Sequence, residues 1–519
     1  MSKIITAKQA AEMVKDGMTI AVGGFTSFGL AEDLLIALQN RYIETKSPKN
    51  LFLFHCAAVG DGGERGANHL GEEGLVKKLV CAHIGLEPRL NKLTVANKLA
   101  AFMIPQGVTT HMLRSIAGGK PGTLTHVGLK TFADPRLEGC KVNKAAIDSG
   151  EEVVSVVNIE GEDYLFYKSF PIDICFIKGS LGDESGNISL NREALISDQL
   201  EMAAATHNSG GIVIAQVEQI VQRGSIKAHD VKVHGFMVDY IVEGTRENSL
   251  QTYAYDHYRP ELSGETKVPL ASIEPMKLDE RKVCGRRGAL ELKPNCLINL
   301  GIGVPEAVAA VAGEEGFSDK ITLSIESGAL GGVPTGGIAI GGSVNPESIY
   351  KQPDIFDIYD GGGIDMSFLG AAEIDSLGNV NVSKFAGRVV GPGGFINISQ
   401  NAKKVCFTGT FKAGKMEVEI KDGKLNILKD GKGIKFKKEV EQVTFSGEYA
   451  SETGQQVYYI TERAVFKLTK NGIMLIEIAP GVDLEKDILA NMEFKPLIAE
   501  DLKLMDERIF KDEKMGLSL

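Results

Sequence analysis

The chain has 519 residues, too many for one hydrophobic core, and its 43% hydrophobic and 24% charged content lets two large domains bury ordinary interiors. The net charge of -11 at pH 7 argues against nucleic acid or an anionic membrane as the main partner. Seven cysteines, an odd number with no C-x-x-C pair, fit a reduced protein of the cytoplasm whose thiols fill core space.

The first residues, MSKIITAKQAAEMVKDG, lack the apolar core of a signal peptide, and no apolar run approaches the ~18 residues of a membrane span. Thr6-Ala7-Lys8-Gln9 is a capping-box pattern that opens a helix, and Asp16-Gly17 closes it. An apolar strand, Met18 to Val22, then runs into Gly23-Gly24-Phe25, with a helix over Ala31 to Leu38. Pro105-Gln106-Gly107 reads on its own as a loop or helix cap. Ala117 to Gly122, AGGKPG, lacks the first Gly and the Ser or Thr of a phosphate-binding loop.

Pro171 to Asp183, PIDICFIKGSLGD, recurs at an offset of 192 as Gly363 to Asp375, GIDMSFLGAAEID, and both run on to a Gly-Asn step, Gly186-Asn187 and Gly378-Asn379. Val14 to Phe25 recurs at an offset of 278 as LKPNCLINLGIG, Leu292 to Gly303. These matches predict a duplicated α/β domain, the first over 1–270 and the second over 281–519, joined by the polar linker 263–280. Short β-branched strands such as Gly211 to Val217 and Ile321 to Ile325 alternate with helical stretches such as Pro305 to Ala312. That alternation predicts mostly parallel sheets covered by helices. Asp-Gly steps at 422–423 and 430–431 predict an antiparallel meander near the C-terminus.

All nine histidines precede residue 258, so the second half holds no His-based triad or His-ligated metal of its own. Gly301-Ile302-Gly303 continues as Val-Pro-Glu, without the third Gly of a dinucleotide fingerprint. No metal or redox cofactor is expected. The segment Ile321 to Gly337 carries the chemistry: a strand, then Glu326 at its C-terminal end, then five glycines within eleven residues. No Lys or Arg lies between Ile321 and Tyr350 to pair with the carboxylate locally. Read from the residues alone, a reactive Glu326 and a merely solvated one stand at even odds.

The Glu326 segment resembles the catalytic motif of the family I coenzyme A transferases. The ketoacid branch of that family has Ser-Glu-Asn-Gly, whereas this chain has Ile325-Glu326-Ser327-Gly328. It is closer to the acetate and propionate CoA-transferases. The first half carries the family's other signature, Asp16-Gly17 through Gly23-Gly24-Phe25 to Gly29, with Ala31 where a Pro is usual. The resemblance runs to the carboxy-terminal LKLMDERIF. It implies CoA transfer between short-chain carboxylic acids through a covalent thioester on Glu326. It further implies that the Gln106 amide and the Gly394 N–H of Gly391-Pro392-Gly393-Gly394 bind the oxyanion. Coenzyme A is then a co-substrate, and the assembly a homodimer or homotetramer. Gly23 and Gly24 line the CoA channel or only shape a turn. Gly361, Gly362 and Gly363 admit CoA or form a flexible turn, and Gly393 is grouped with the CoA-binding residues. The alternatives are an acyl-CoA hydrolase, disfavoured because no histidine stands beside Glu326 in the sequence, and a non-catalytic ligand sensor of the same fold.

Overall fold

The computed structural model describes residues 2–269 and 276–518, so 270–275 of the expected linker lie outside the described residues. Proximity divides the chain into two compact units. One is Met1–Val268 with Ile325–Asp357 and Ala386–Asn397; the other is Pro269–Ser324, Ile358–Phe385 and Ile398–Leu519. The segments carrying Glu326 and Gly394, counted with the second half on sequence, thus group with the N-terminal residues.

The first unit is built on seven parallel strands in the order Ala100–Met103, Val76–Cys81, Leu51–Phe54, Thr19–Val22, Ile174–Asp183, Ile212–Val221, Tyr240–Glu243. Thr19–Val22 is buried at every position, as a strand covered on both faces must be. The capping box at Thr6 forms as expected and starts the helix Ala7–Met13. The helix Glu32–Thr45 begins with two acidic residues and buries Leu34, Leu35, Leu38 and Tyr42, a stripe at helical spacing. The helices Gln106–Ala117 and Gln199–Asn208 pack together, the second of them on Ile174–Asp183.

The second unit runs Thr322–Ser324, Leu297–Leu300, Met366–Leu369, Lys404–Thr408 and Gln456–Ile460 in parallel. Two antiparallel strands, Ala464–Thr469 and Gly472–Ile478, follow, and Leu497–Leu504 pairs parallel with the last. An antiparallel meander near the C-terminus is present in Gln456–Ile460, Ala464–Thr469 and Gly472–Ile478, and of the two Asp-Gly steps that pointed to one, the first makes a hairpin. Glu417–Lys421 and Lys424–Lys429 form a hairpin over Asp422-Gly423, both at positive φ. The second Asp-Gly step makes no hairpin: the strand after it, Gly433–Ile434, pairs with Lys412–Ala413, and the Asp430 carboxylate accepts from Arg463 at 2.7 and 3.0 Å.

The sequence repeat is a repeat of register. Ile20 pairs with Leu53 on one side and Ile174 on the other; Ile298 pairs with Leu323 and Met366. The Gly-Asn steps make the same turn twice. Asp183 Oδ1 accepts from the Ser185 and Asn187 N–H at 2.9 and 3.1 Å, and Asp375 Oδ1 from those of Leu377 and Asn379, both at 3.0 Å. Among the described residues no helix is long and apolar enough to cross a membrane.

Candidate active site

Beyond Ser324 the chain turns sharply. The Gly328 N–H donates to the Ile325 carbonyl and the Ile325 N–H to that of Ala329, both at 2.9 Å, which puts Glu326 and Ser327 at the corner. Glu326 is half-buried and Ser327 fully buried. Gly328 has φ +116, and a Cβ there would collide with the Tyr350 carbonyl, so only glycine fits. The Tyr350 N–H donates to the Gly328 carbonyl at 2.8 Å, docking the corner on that residue. Ser327 Oγ donates to the Gly341 carbonyl at 2.6 Å, fixing the corner from its other side.

That second anchor leads to the N-terminal glycines. Thr26 Oγ1 donates to the Ile340 carbonyl at 2.7 Å and Ser27 Oγ to that of Ile338 at 2.6 Å. Phe25, Phe28, Ala57, Leu195 and Ala339 close one small core between them. Gly23 and Gly24 each have a packing reason. A Cβ on Gly23 would stand 2.6 Å from Gln199 Oε1, and one on Gly24 2.7 Å from a Leu30 methyl.

Gln106 opens the helix Gln106–Ala117 and is 3% exposed. Its N–H donates to the Gly393 carbonyl at 2.9 Å, and the Gly393 N–H to that of Ala82 at 3.0 Å. The next N–H, of Gly107, donates to Asn397 Oδ1 at 3.1 Å. The Pro-Gln-Gly step and the Gly-Pro-Gly-Gly loop are thereby bound backbone to backbone, and Gly394 is buried just before the helix Phe395–Asn401. Set by its hydrogen-bond partners, the Gln352 amide accepts from Gln106 Nε2 at 2.9 Å through its oxygen and donates to Asp198 Oδ2 at 2.6 Å. Gln352 lies two residues past Tyr350, so the Glu326 corner, Gln106 and Gly393 belong to one hydrogen-bonded assembly inside the first unit.

A family model described as coenzyme A transferase matches residues 4–244. Over its whole length the chain is 47% identical to the caffeate CoA-transferase of Acetobacterium woodii, covering 99% of it. The chain belongs to the coenzyme A transferase family. It is also 40% identical to the acetate CoA-transferase YdiF of Escherichia coli K12 over 99% of this chain and 96% of that one. Crystal structures of YdiF from E. coli O157:H7, as apoenzyme and as a thioester complex with CoA, superpose with TM-scores of 0.94 and 0.93. They are 40% and 39% identical, covering 100% of this chain and 98% of theirs.

In this transferase the third group of glycines lies at a helix end. Gly362 and Gly363 donate to the Tyr359 and Ile358 carbonyls at 3.0 and 2.9 Å, closing the helix Gln352–Asp360, and Gly361 is exposed in the same turn. Among the described residues no group of three or more His, Cys, Asp or Glu is placed to hold a metal ion.

Sequence reasoning missed His83. The Ile84 N–H donates to the Val390 carbonyl at 2.9 Å, which brings the segment Ala82 to Ile84 against the Gly391–Gly394 loop. His83 Cδ2 and Gln106 Oε1 each lie 3.7 Å from the point where a Gly393 side chain would begin. The Gly85 N–H donates to His83 Nδ1 at 3.1 Å, so the ring proton sits on Nε2. Burial, and then the charge on nearby His55, push its pKa down to about 4 and keep it neutral. For His55 burial opposes the charge, but Glu87, 3.3 Å away, and the Ala57 carbonyl outweigh it and raise its pKa.

Proposed function

We propose that this enzyme moves CoA between short-chain carboxylic acids with the Glu326 side chain as covalent carrier. The Glu326 carboxylate attacks the acyl-CoA carbonyl, expelling CoA as the thiolate and leaving an acyl-glutamyl anhydride. The thiolate then attacks the Glu326 carbonyl, releases the first acid and leaves a glutamyl-CoA thioester. A second carboxylate reverses both steps and departs as its CoA ester. No water takes part, so the thioester bond energy is kept. Each step passes through a tetrahedral oxyanion, for which the Gln106 amide and the Gly394 N–H are the proposed donors, each worth about 3 kcal/mol. The observation that carries this reading is the assembly itself. A carboxylate at a glycine-locked corner is tied through Tyr350 and Gln352 to Gln106, and through Gln106 to the Gly393 backbone.

The relatives are named for caffeate and for acetate, which brackets the acceptor between an aryl acid and a short aliphatic one. Acetate and its short homologues are the proposed pair, in a cytoplasmic homodimer or homotetramer. The test is CoA exchange from acetyl-CoA to propionate, butyrate, lactate and caffeate. Parallel double-reciprocal lines with a short aliphatic acid turned over fastest are expected. Intersecting lines, or CoA released without a new thioester, contradict the reading.

A further inference from the structure

We infer that Gln352 and Asp198 are positioning residues that dictate which way the Gln106 side-chain amide faces. The inference rests on the proposed oxyanion role of Gln106. A primary amide has nearly the same shape after a half-turn, so Gln106 alone would offer an oxyanion either its NH2 group or its repelling oxygen. The neighbours remove that freedom. Gln352 is 0% exposed, and Gln106 and Asp198 are 3% exposed each, so bulk water competes little for these groups and they satisfy one another. Burial and then the charge of Glu201 push the Asp198 pKa well up, but a protonated carboxyl still keeps one accepting oxygen: Oδ2 lies 2.6 Å from the Gln352 nitrogen, and Oδ1, at 3.3 Å, is the oxygen left to carry a proton. Gln352 must therefore turn its oxygen to Gln106, 2.9 Å away, and Gln106 must turn its NH2 to Gln352. One N–H of Gln106 is consumed; the other, on the same nitrogen, is held in a fixed direction for substrate.

The backbone is bent to support this. The Gln352 N–H donates to the Ser197 carbonyl at 3.3 Å. Ser197 has φ +50, a left-handed conformation that a non-glycine residue rarely holds without a reason. It stands just before Asp198, so one strained residue presents a carbonyl and the next a carboxyl to the same Gln352. The other groups facing Asp198 are the Cys56 thiol, Glu201, Arg114 and Lys351. Lys351 Nζ holds Glu201 Oε1 at 2.6 Å, with Arg114 Nε at 3.8 Å. Gln352 and Asp198 act on the reaction only through Gln106.

The test is steady-state kinetics of Gln352→Met, alone and combined with Gln106→Ala. Alone it is expected to lower kcat about tenfold or more, with KM for acyl-CoA within about twofold. On top of Gln106→Ala it is expected to add less than about twofold, because the residue it positions is gone. Gln352→Glu keeps an oxygen for Gln106 and retains more activity. Its second oxygen meets Asp198, so the two carboxyls share a proton and the pH profile of kcat shifts away from that of the wild type. Asp198→Asn makes the same test with almost no change of volume. It offers Gln352 a donor as well as an acceptor, and kcat falls only while Gln106 is present. The same loss in both backgrounds, or a raised KM with unchanged kcat, overturns the inference. A Gln106→Ala enzyme with near-normal kcat instead removes the oxyanion reading of Gln106 on which the inference stands.

Discussion

In the first copy of the repeat, the strand Leu51–Phe54 runs on into His55-Cys56-Ala57-Ala58. In the second, the strand in the same register, Thr322–Ser324, runs on into Ile325-Glu326-Ser327-Gly328. Counting from the paired Leu53 and Leu323, Cys56 stands where Glu326 stands. Cys56 is 2% exposed, and burial, followed by the charge of Asp198, pushes its thiol well above the ordinary range. Glu326 is half-buried at a glycine-bearing corner. The same strand end is thus sealed in one copy and open in the other. The residue three past the paired leucine decides the chemistry, and the glycine two further on, Gly328 against Ala58, decides whether the corner stays open.

The largest effect is expected at the open end. Glu326→Ala should abolish transfer in a folded protein, with Glu326→Gln nearly as inactive, since no other carboxylate takes the place at that corner. A tenth of wild-type turnover in a CoA-exchange assay would remove Glu326 as carrier. Gln106→Ala removes one donor and keeps the nucleophile, so kcat should fall by roughly 10²–10³ while glutamyl-CoA still forms slowly. A loss of only a few-fold would make Gln106 a loop residue.

Gly328→Ala turns the open corner toward the sequence of the sealed one, whose matching residue is Ala58. With φ +116 and the Tyr350 carbonyl in the way, it should cost about 2–3 kcal/mol in thermal unfolding and at least tenfold in transfer. Unchanged stability would mean that the corner has room for a side chain. Cys56→Ala tests the sealed side. It should cost about 1 kcal/mol and leave kcat within a few-fold. Loss of all transfer would mean that Cys56 does chemistry after all.

The smallest effect separates the two Asp turns. For Asp183 burial opposes ionisation, but bonds from Asn187, Gly224 and Ser185 outweigh it and lower its pKa; for Asp375 burial wins over similar bonds and raises it. Asp183 therefore adds stability that is present above its unfolded pKa and lost as pH falls through its folded one. Asp375 binds its proton more tightly folded than unfolded, so its contribution declines as pH rises from the unfolded to the folded pKa. In melting curves against pH, the deficit of Asp183→Asn should shrink toward acid, and Asp375→Asn should gain on wild type as pH rises. Slopes of the same sign would contradict the contrast.

The repeat, the parallel strands and the Glu326 strand end were legible because each is local: β-branched runs, glycine turns and a motif at constant offset. Gly23-Gly24-Phe25 was legible as a turn, but not its hold on the loop 338–341, which joins residues more than half the chain apart. Gln352, Asp198 and His83 carried no local signal. Each is an ordinary polar residue whose meaning comes from a partner far along the chain: Gln106 for Gln352, Gln352 for Asp198, the Gly391–Gly394 loop for His83. The division at 263–280 rested on composition, whereas the contacts of Ile325–Asp357 depend on hydrogen bonds to Thr26, Ser27 and Ser197 that no composition reveals.

The most direct measurement is peptide mass mapping of the enzyme mixed with acetyl-CoA and trapped with borohydride. The expected product carries the mass of a reduced, formerly thioester-linked side chain on the peptide containing Glu326, and none appears in Glu326→Ala. Modification confined to another residue, or full transfer with no trapped peptide, would contradict a covalent role for Glu326.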